Sequence, residues 1–286
     1  MIDRKQLKRD ARDAMRETRP RPIWVALAVI FILCVTQGLS FAVSGEYDAL
    51  RAVTEAMRNG ETTSLMDVAV TTRTGRFASV ITFALDLMTS VISAGFGLYA
   101  LRLIRRAAPS FGDVFDAFGR FLRVVCVGLV RGFMVSAAVM LYAFVAALLL
   151  SAGLDAVYAP LAALPSLAPL VIILLGYSLA DFLAVDEAEY GVFQCLALSR
   201  MAMRGHMIER LKLELSFIGW YAACLFPPAA LWVYPYVTAT RAAYYDRRVP
   251  QFLEEARRNP RVPTPPPPKY HTPGDDDNDW DDDDFY

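Results

Sequence analysis

The apolar residues of this chain occur in long runs separated by short polar segments. They do not recur at the period of a half-buried helix or strand. A membrane core about 30 Å thick needs roughly 20 consecutive apolar residues in a helix, because each residue adds about 1.5 Å. Several runs reach this length. The pattern therefore predicts an all-α fold, a polytopic bundle of transmembrane helices.

Six transmembrane spans are predicted from the positions of these runs. They cover about residues 23–43, 77–103, 124–150, 161–185, 207–226 and 229–247. The last two belong to one apolar stretch that Phe226-Pro227-Pro228 divides into a helical hairpin, because proline interrupts a helix. One long kinked helix is the alternative, and it would give five spans.

The positive charges are concentrated in a few segments, although the net charge is only −1. Lys and Arg cluster in residues 1–22, 102–123, 186–212 and from 247 onward, whereas residues 151–160 contain none. Cytoplasmic segments of membrane proteins carry an excess of Lys and Arg. With six spans, both termini are therefore predicted to lie in the cytoplasm.

The two ends of the chain differ in character from the apolar middle. A basic cytoplasmic arm (1–22) is predicted to precede a transmembrane domain (23–247), and a cytoplasmic tail rich in Pro and Asp (248–286) follows it. The tail has too little apolar surface to offset chain entropy, so it is predicted to be disordered. Its aspartates and its few aromatic residues would also suit a short motif for a basic or membrane-protein partner.

Two short interfacial amphipathic helices are predicted on the cytoplasmic side. One carries phenylalanines at every third or fourth position, namely Phe111, Phe115, Phe118 and Phe121. The other runs from Asp186, which with Glu189 resembles a capping box, to Gly205 as the residue after the helix.

Three ionisable residues inside the predicted spans need an explanation: Asp86, Arg131 and Asp181. A charge at the bilayer centre costs roughly 2.5–3.5 kcal/mol, so each is expected to face the bundle and to find a partner. Counting residues along the spans brings Arg131 within reach of Asp181 and, from below, of Asp86. One interpretation is an ion pair that joins two spans. The other is a proton- or ion-linked path through Asp86 and nearby polar side chains.

A group of motifs occupies the C-terminal half of the transmembrane domain. They are Asp186, Ala197-Leu198-Ser199-Arg200, Gly205-His206, Ser216-Phe217-Ile218-Gly219-Trp220 and Tyr234-Pro235-Tyr236. With these motifs the chain resembles the DUF975 family of bacterial integral membrane proteins, most densely over residues 176–247. The resemblance implies a multi-spanning protein of the bacterial cytoplasmic (inner) membrane, and it implies no activity.

The motif residues also allow physical expectations of their own. Gly219 is expected to let a neighbouring backbone approach closely, and Trp220 to supply a large packing surface. Pro235 is expected to kink the last span. These are expectations about architecture rather than about a substrate site.

Signals for an enzyme do not stand out in the sequence. It contains no GxSxG, HExxH, P-loop or GxGxxG motif, and its two histidines and four cysteines have no metal-ligand spacing. No catalytic residue, metal, cofactor or nucleic-acid partner is therefore predicted. The leading hypothesis is a non-enzymatic structural, assembly or regulatory component that binds membrane lipids or membrane proteins. The alternative is a small-solute or ion transporter that uses Asp86 and Arg131.

Overall fold

The computed structural model describes residues 4–18, 21–44, 51, 54, 58, 76–155, 158–186 and 190–258, and in these ranges it contains helices and no β-strand. The predicted all-α class is therefore confirmed. The α-helices are α1 (Arg4–Glu17), α2 (Pro22–Ser44), α3 (Arg76–Ile104), α4 (Phe121–Ser151), α5 (Tyr158–Ala162), α6 (Ala168–Gly176), α7 (Ala180–Asp186), α8 (Val192–Met203), α9 (Met207–Leu215), α10 (Ile218–Ala223) and α11 (Ala230–Arg258). Short 3-10 turns cover Phe111–Val114, Asp116–Arg120, Leu164–Leu167 and Pro227–Ala229.

Four helical segments within the described ranges are long and apolar enough to cross a membrane. They are Pro22–Ser44, Phe77–Ile104, Phe111–Ser151 and Leu164–Asp186. They correspond to the first four predicted spans and indicate a membrane-embedded protein. Large apolar side chains such as Phe31, Phe133 and Phe144 are exposed on these helices, as expected for surfaces that face lipid.

The fifth and sixth predicted spans are not among these four segments. The fifth is divided between α9 and α10, and α9 carries Glu209, Arg210, Lys212 and Glu214. The sixth forms only the first part of α11, which continues through charged residues to Arg258. The prediction of six spans is therefore not confirmed.

The chain does turn back at Phe226-Pro227-Pro228, as the hairpin interpretation requires. The rings of Phe217 and Trp220 lie 5.9 and 5.6 Å from the ring of Tyr236 on α11. Farther from the turn, Glu214 pairs with Arg241. Because these contacts join residues on opposite sides of the turn, the two limbs lie side by side, and the single kinked helix is excluded.

The basic arm is a packed helix in the structure. Leu7, Ala11 and Ala14 of α1 are buried, and their spacing of four and three residues places them on one helix face. This face packs mainly on α11 and also on α3. Residues 4–17 are thus part of the folded domain.

Two boundaries at the C-terminal side also differ from the prediction. Asp186 ends α7 instead of opening the next helix, and α8 begins after Gly191, whose backbone N–H donates to the side chain of Gln194. The tail was predicted to start at residue 248, but α11 continues to Arg258 with Arg248 and Phe252 buried. Residues 259–286 lie outside the described part of the chain, so the predicted disorder and partner of the tail stay predictions.

Of two glycines with a predicted role, one has that role in the structure and the other does not. Gly205 has a φ of +77° after α8, which confirms it as the residue that ends this helix. Gly219 was expected to permit close backbone contact, but a side chain there would meet nothing within 4 Å, so that expectation is wrong. The close approach occurs instead at Gly95, where a Cβ would lie 1.9 Å from the carbonyl oxygen of Val114. Gly95 therefore allows the 3-10 turn before α4 to lie directly on α3.

Candidate functional site

The first group of candidate residues lies where α3, α7 and α11 end or pass close together. Arg105, in the turn after α3, donates two hydrogen bonds to the carboxylate of Asp186 (2.6 and 2.8 Å) and one to Asp246 (2.6 Å). The hydroxyl of Tyr245 also donates to Asp186 (3.0 Å). We call this the charged end of the bundle, defined by Arg105, Asp186, Tyr245 and Asp246.

The electrostatics of the charged end keep Arg105 ionised. Its hydrogen bonds to Asp186 raise the pKa of the guanidinium above its usual value, partial burial opposes this, and the contact with Asp246 adds to the increase. A planar guanidinium with five donors can serve two carboxylates at once. Arg105 therefore joins three helices through fixed charges, and we call this contact a structural clamp because it holds the helix ends together.

A second ionic contact fixes the connection between α3 and α4. Arg102 pairs with both Asp113 and Asp116, the latter at 2.7 Å. Asp113 is buried and also accepts hydrogen bonds from the backbone N–H and the hydroxyl of Ser110 (2.9 and 3.0 Å). Phe111 and Phe115, predicted for an interfacial helix, are exposed on this 3-10 segment, so the apolar stripe exists without an α-helix.

The fourth apolar segment is interrupted, and Ser199 bridges the interruption. α6 ends at Gly176 and α7 begins at Ala180. The fully buried Ser199 hydroxyl donates to the carbonyl of Gly176 (3.0 Å) and accepts the N–H of Leu179 (3.2 Å). Ser199 thus satisfies backbone groups that the broken helix leaves open. Its neighbour Arg200 lies over the ring of Tyr177, 5.8 Å from the centroid.

Arg131 of α4 pairs with Asp181 in the first turn of α7. This is the contact that the residue count predicted. Asp86 is not part of it. Among the described residues Asp86 makes no ion pair, and its side chain is exposed.

The position of Asp86 follows from the contact between α3 and α4. A Cβ on Gly128 would lie 3.3 Å from the Ser90 hydroxyl, so the helices touch at this level. Asp86 is four residues before Ser90 and Arg131 three residues after Gly128, and each therefore lies on the contacting side of its helix. Because α3 and α4 run in opposite directions, both residues lie one turn beyond the contact, farther from the charged end. The structure places them at the same level but does not pair them.

A third group, which sequence reasoning missed as a unit, lies at the base of the hairpin. Glu214 accepts two hydrogen bonds from Arg241 (3.0 and 2.7 Å) and pairs with Arg210 (2.9 Å). Arg210 is 3% exposed, and its guanidinium lies over the ring of Tyr244. Its Nε and Nη1 have no hydrogen-bond partner among the described residues. The sequence signal was the spacing of four between Arg210 and Glu214 on one helix, but nothing local indicated Arg241.

The remaining motif positions are packing and capping residues. His206 precedes α9 and its Nδ1 lies 3.3 Å from the carboxylate of Glu209. Lys8 donates to the carbonyl of Ser216 (3.2 Å) and lies over the ring of Phe217, 4.5 Å from its centroid. Pro235 and Tyr236 are buried inside α11. A cavity of about 270 Å³ lies between α1, the end of α3 and α11, and none of the predicted site residues lines it.

Comparison with known families agrees with these motifs. The family model described as a protein of unknown function, DUF975, matches residues 1–249. The chain belongs to the DUF975 family. The DUF975 match includes α1, which lies outside residues 176–247, where the resemblance is densest, and it ends within α11. No curated protein and no solved structure matches the chain.

Proposed function

We propose that this DUF975 protein is a non-enzymatic component of the bacterial cytoplasmic membrane that binds anionic lipid through α1. The charged end of the bundle then faces the cytoplasm, and both termini lie on that side. One observation carries the proposal: α1 is held by one face and presents a line of cations on the other.

The line of cations follows from the sequence of α1. Lys5, Arg9, Arg12 and Arg16 recur with spacings of four, three and four residues and are exposed. At about 100° per residue they lie opposite the buried face of the helix, which Leu7, Ala11 and Ala14 form. Packing therefore fixes the direction in which the cations point.

The contacts of α1 support a position at the membrane surface. Near its start, Arg4 donates to the carbonyl of Lys212 (3.3 Å), and Arg106, beyond the end of α3, pairs with Glu17 at its other end (3.2 Å). The first apolar segment starts at Pro22, five residues after α1 ends. α1 thus lies across the charged end beside the lipid headgroups. A cytoplasmic leaflet containing anionic lipid attracts juxtamembrane Lys and Arg by about 1 kcal/mol each.

Removing two cations from the exposed face of α1 should weaken binding of anionic lipid. We expect Arg9→Gln/Arg16→Gln to raise the Kd for phosphatidylglycerol about 30-fold, since two contributions of about 1 kcal/mol are lost. The measurement is lipid binding to the purified full-length protein by native mass spectrometry at low and high salt. Added salt should reduce the difference, because exposed charges are screened.

The matched control removes two arginines from the last turn of α11, as Arg257→Gln/Arg258→Gln. This variant has the same net charge as the α1 variant and should retain wild-type affinity. Equal weakening in both variants would mean that net charge alone governs binding, and unchanged affinity in the α1 variant would contradict the proposal. Binding of zwitterionic phosphatidylcholine should be the same in all three proteins.

Transport through Asp86 and Arg131 is the second candidate function, and their common level in the structure is the observation that favours it. The geometry favours it less, because Arg131 is already neutralised by Asp181. We therefore expect liposomes containing the wild-type protein or Asp86→Asn to take up protons no faster than empty liposomes under an imposed pH gradient, followed with an enclosed pH-sensitive dye. A flux that the wild-type protein supports and Asp86→Asn abolishes would establish transport instead.

A further inference from the structure

We infer that residues 215–240 form a re-entrant hairpin, which enters the bilayer from the charged end, turns within the hydrocarbon and returns to the same side. Its apolar tip then contacts acyl chains of the cytoplasmic leaflet. The surface of this hairpin is separate from the lipid-binding face of α1. The re-entrant topology does not require α1 to bind lipid.

Charged contacts mark the base of the hairpin. Glu214 and Arg241 join the two limbs, and both lie at the ends of an uncharged stretch, since residues 215–240 contain no Asp, Glu, Lys or Arg. Lys8 of α1 contacts the first limb directly beyond this pair, at the carbonyl of Ser216. The base therefore lies at the level of α1, beside the charged end.

The second limb is too short to cross the hydrocarbon. Arg241 lies 11 residues after Ala230, the first residue of α11, which corresponds to about 17 Å of helix. The hydrocarbon core of a bilayer is about 30 Å thick. If the base lies at the cytoplasmic boundary, the turn lies near the middle of the membrane.

Comparison with α3 gives the same depth independently. The ring of Tyr234 stacks on that of Phe96, with centroids 4.8 Å apart, which sets a common level for α11 and α3. From Phe96, α3 continues for 20 residues away from the charged end, about 30 Å, to Arg76. From Tyr234, α11 continues only four residues, about 6 Å, to Ala230. The hairpin therefore ends far short of the opposite end of α3.

The turn is built in a way that suits an apolar environment. Pro227 and Pro228 have no backbone N–H, and the N–H groups of Leu225, Phe226 and Ala229 donate to carbonyls within the turn (3.2, 3.1 and 2.9 Å). Non-helical backbone in hydrocarbon is costly when its polar groups are unsatisfied. A turn that projected into water would need no such arrangement.

The surface of the tip indicates what covers it. Leu225 is 86% exposed, Phe226 69% and Trp232 56% in the protein alone. With no charge between the two base residues, this surface offers nothing to a polar partner and would be costly to expose to water. Acyl chains are the occupant that matches both its chemistry and its depth.

Cysteine accessibility tests this topology on the full-length chain with Cys34, Cys126, Cys195 and Cys224 replaced by alanine. Phe226→Cys reports on the tip, and Leu225→Cys is a second tip position in case the first variant folds poorly. Asp155→Cys is the control in the loop at the far end of α4, and Arg204→Cys is the control at the charged end. A membrane-impermeant maleimide is applied to intact spheroplasts, then to opened membranes, and finally in SDS.

The re-entrant hairpin predicts a distinct pattern at the tip. Asp155→Cys should react in intact spheroplasts and Arg204→Cys only after the membranes are opened, whereas both tip cysteines should react only in SDS. Reaction of the tip cysteines in intact spheroplasts would mean that the hairpin crosses the whole bilayer. Reaction after opening alone would place the tip in water. Disulfide cross-linking between tip cysteines of two chains would make a second copy, rather than acyl chains, the occupant.

Discussion

The Asp186→Ala variant is expected to lose about 2 kcal/mol of unfolding free energy, because three charge-assisted or ionic hydrogen bonds to its carboxylate disappear. Asp186 is 13% exposed and Arg105 41% exposed, so the loss should be smaller than for a fully buried pair. For a domain of this size it corresponds to a decrease in Tm of roughly 4–8 °C. Thermal unfolding of the purified protein in detergent measures it.

The controls for Asp186→Ala distinguish the loss of the contacts with Arg105 and Tyr245 from the loss of a negative charge in general. Asp155→Ala removes a carboxylate from an exposed loop and should leave Tm unchanged. Asp246→Ala removes one hydrogen bond from the same arginine and should have a smaller effect. If Asp186→Ala unfolded at the wild-type temperature, the contacts of Asp186 with Arg105 and Tyr245 would not stabilise the fold. Lipid binding by α1 should persist in the folded fraction of all three variants.

The parts of the fold that were predictable from the sequence are those that depend only on the length of an apolar run. Four apolar segments are found where the hydropathy pattern predicts them, because a spanning helix needs little information beyond about 20 uninterrupted apolar residues. The fifth and sixth predicted spans are not confirmed, because the stretch to which the same rule was applied begins with α9, a charged helix. Run length alone also gives no information on the level at which the second limb contacts α3, where Tyr234 stacks on Phe96.

The sequence of the N-terminal arm contains the spacing of a helix with one buried face, but the many charged residues made this spacing hard to recognise. Leu7, Ala11 and Ala14 recur at helix spacing, but alanines contribute little hydrophobicity, so the basic residues dominate the segment. Small residues are what a helix needs in order to pack closely on another helix. A stripe of alanines within a basic segment was therefore the available signal for docking.

Part of the candidate site was predictable, namely the contact that follows from the positions of two residues along neighbouring spans. Arg131 and Asp181 lie at matching levels on neighbouring spans, and a rise of about 1.5 Å per residue is enough to find such a pair. The contact of Arg105 with Asp186 and Asp246 joins positions 81 and 141 residues apart in the chain. No periodicity relates such positions, and the sequence indicated Asp186 only as a helix start and as a family motif, not as a partner of Arg105.

Breaking the pair between Arg131 and Asp181 should produce the second large effect on stability. Arg131→Leu leaves the carboxylate of Asp181 without a counter-ion inside an apolar segment. Asp181→Leu does the same to the guanidinium of Arg131. Each single variant should therefore lose roughly 2–3 kcal/mol, close to the insertion cost of a lone charge in the membrane. Unfolding in SDS titrations measures these losses, with Arg204→Leu, at the exposed C-terminal end of α8, as the matched control without an effect.

The double variant Arg131→Leu/Asp181→Leu tests whether the pair stabilises the protein only by neutralising the two charges. If the pair serves to join two apolar segments, the double variant retains no unpaired charge and should be more stable than either single variant, because replacing both partners of a buried ion pair by apolar residues is often neutral. Losses that simply add would mean that the two side chains act separately. The exchanged variant Arg131→Asp/Asp181→Arg should also recover stability, since attraction between the two charges does not depend on which helix carries which sign. Recovery in both variants would leave Asp86, which makes no ion pair within the described ranges, as the residue on which any transport hypothesis has to rest.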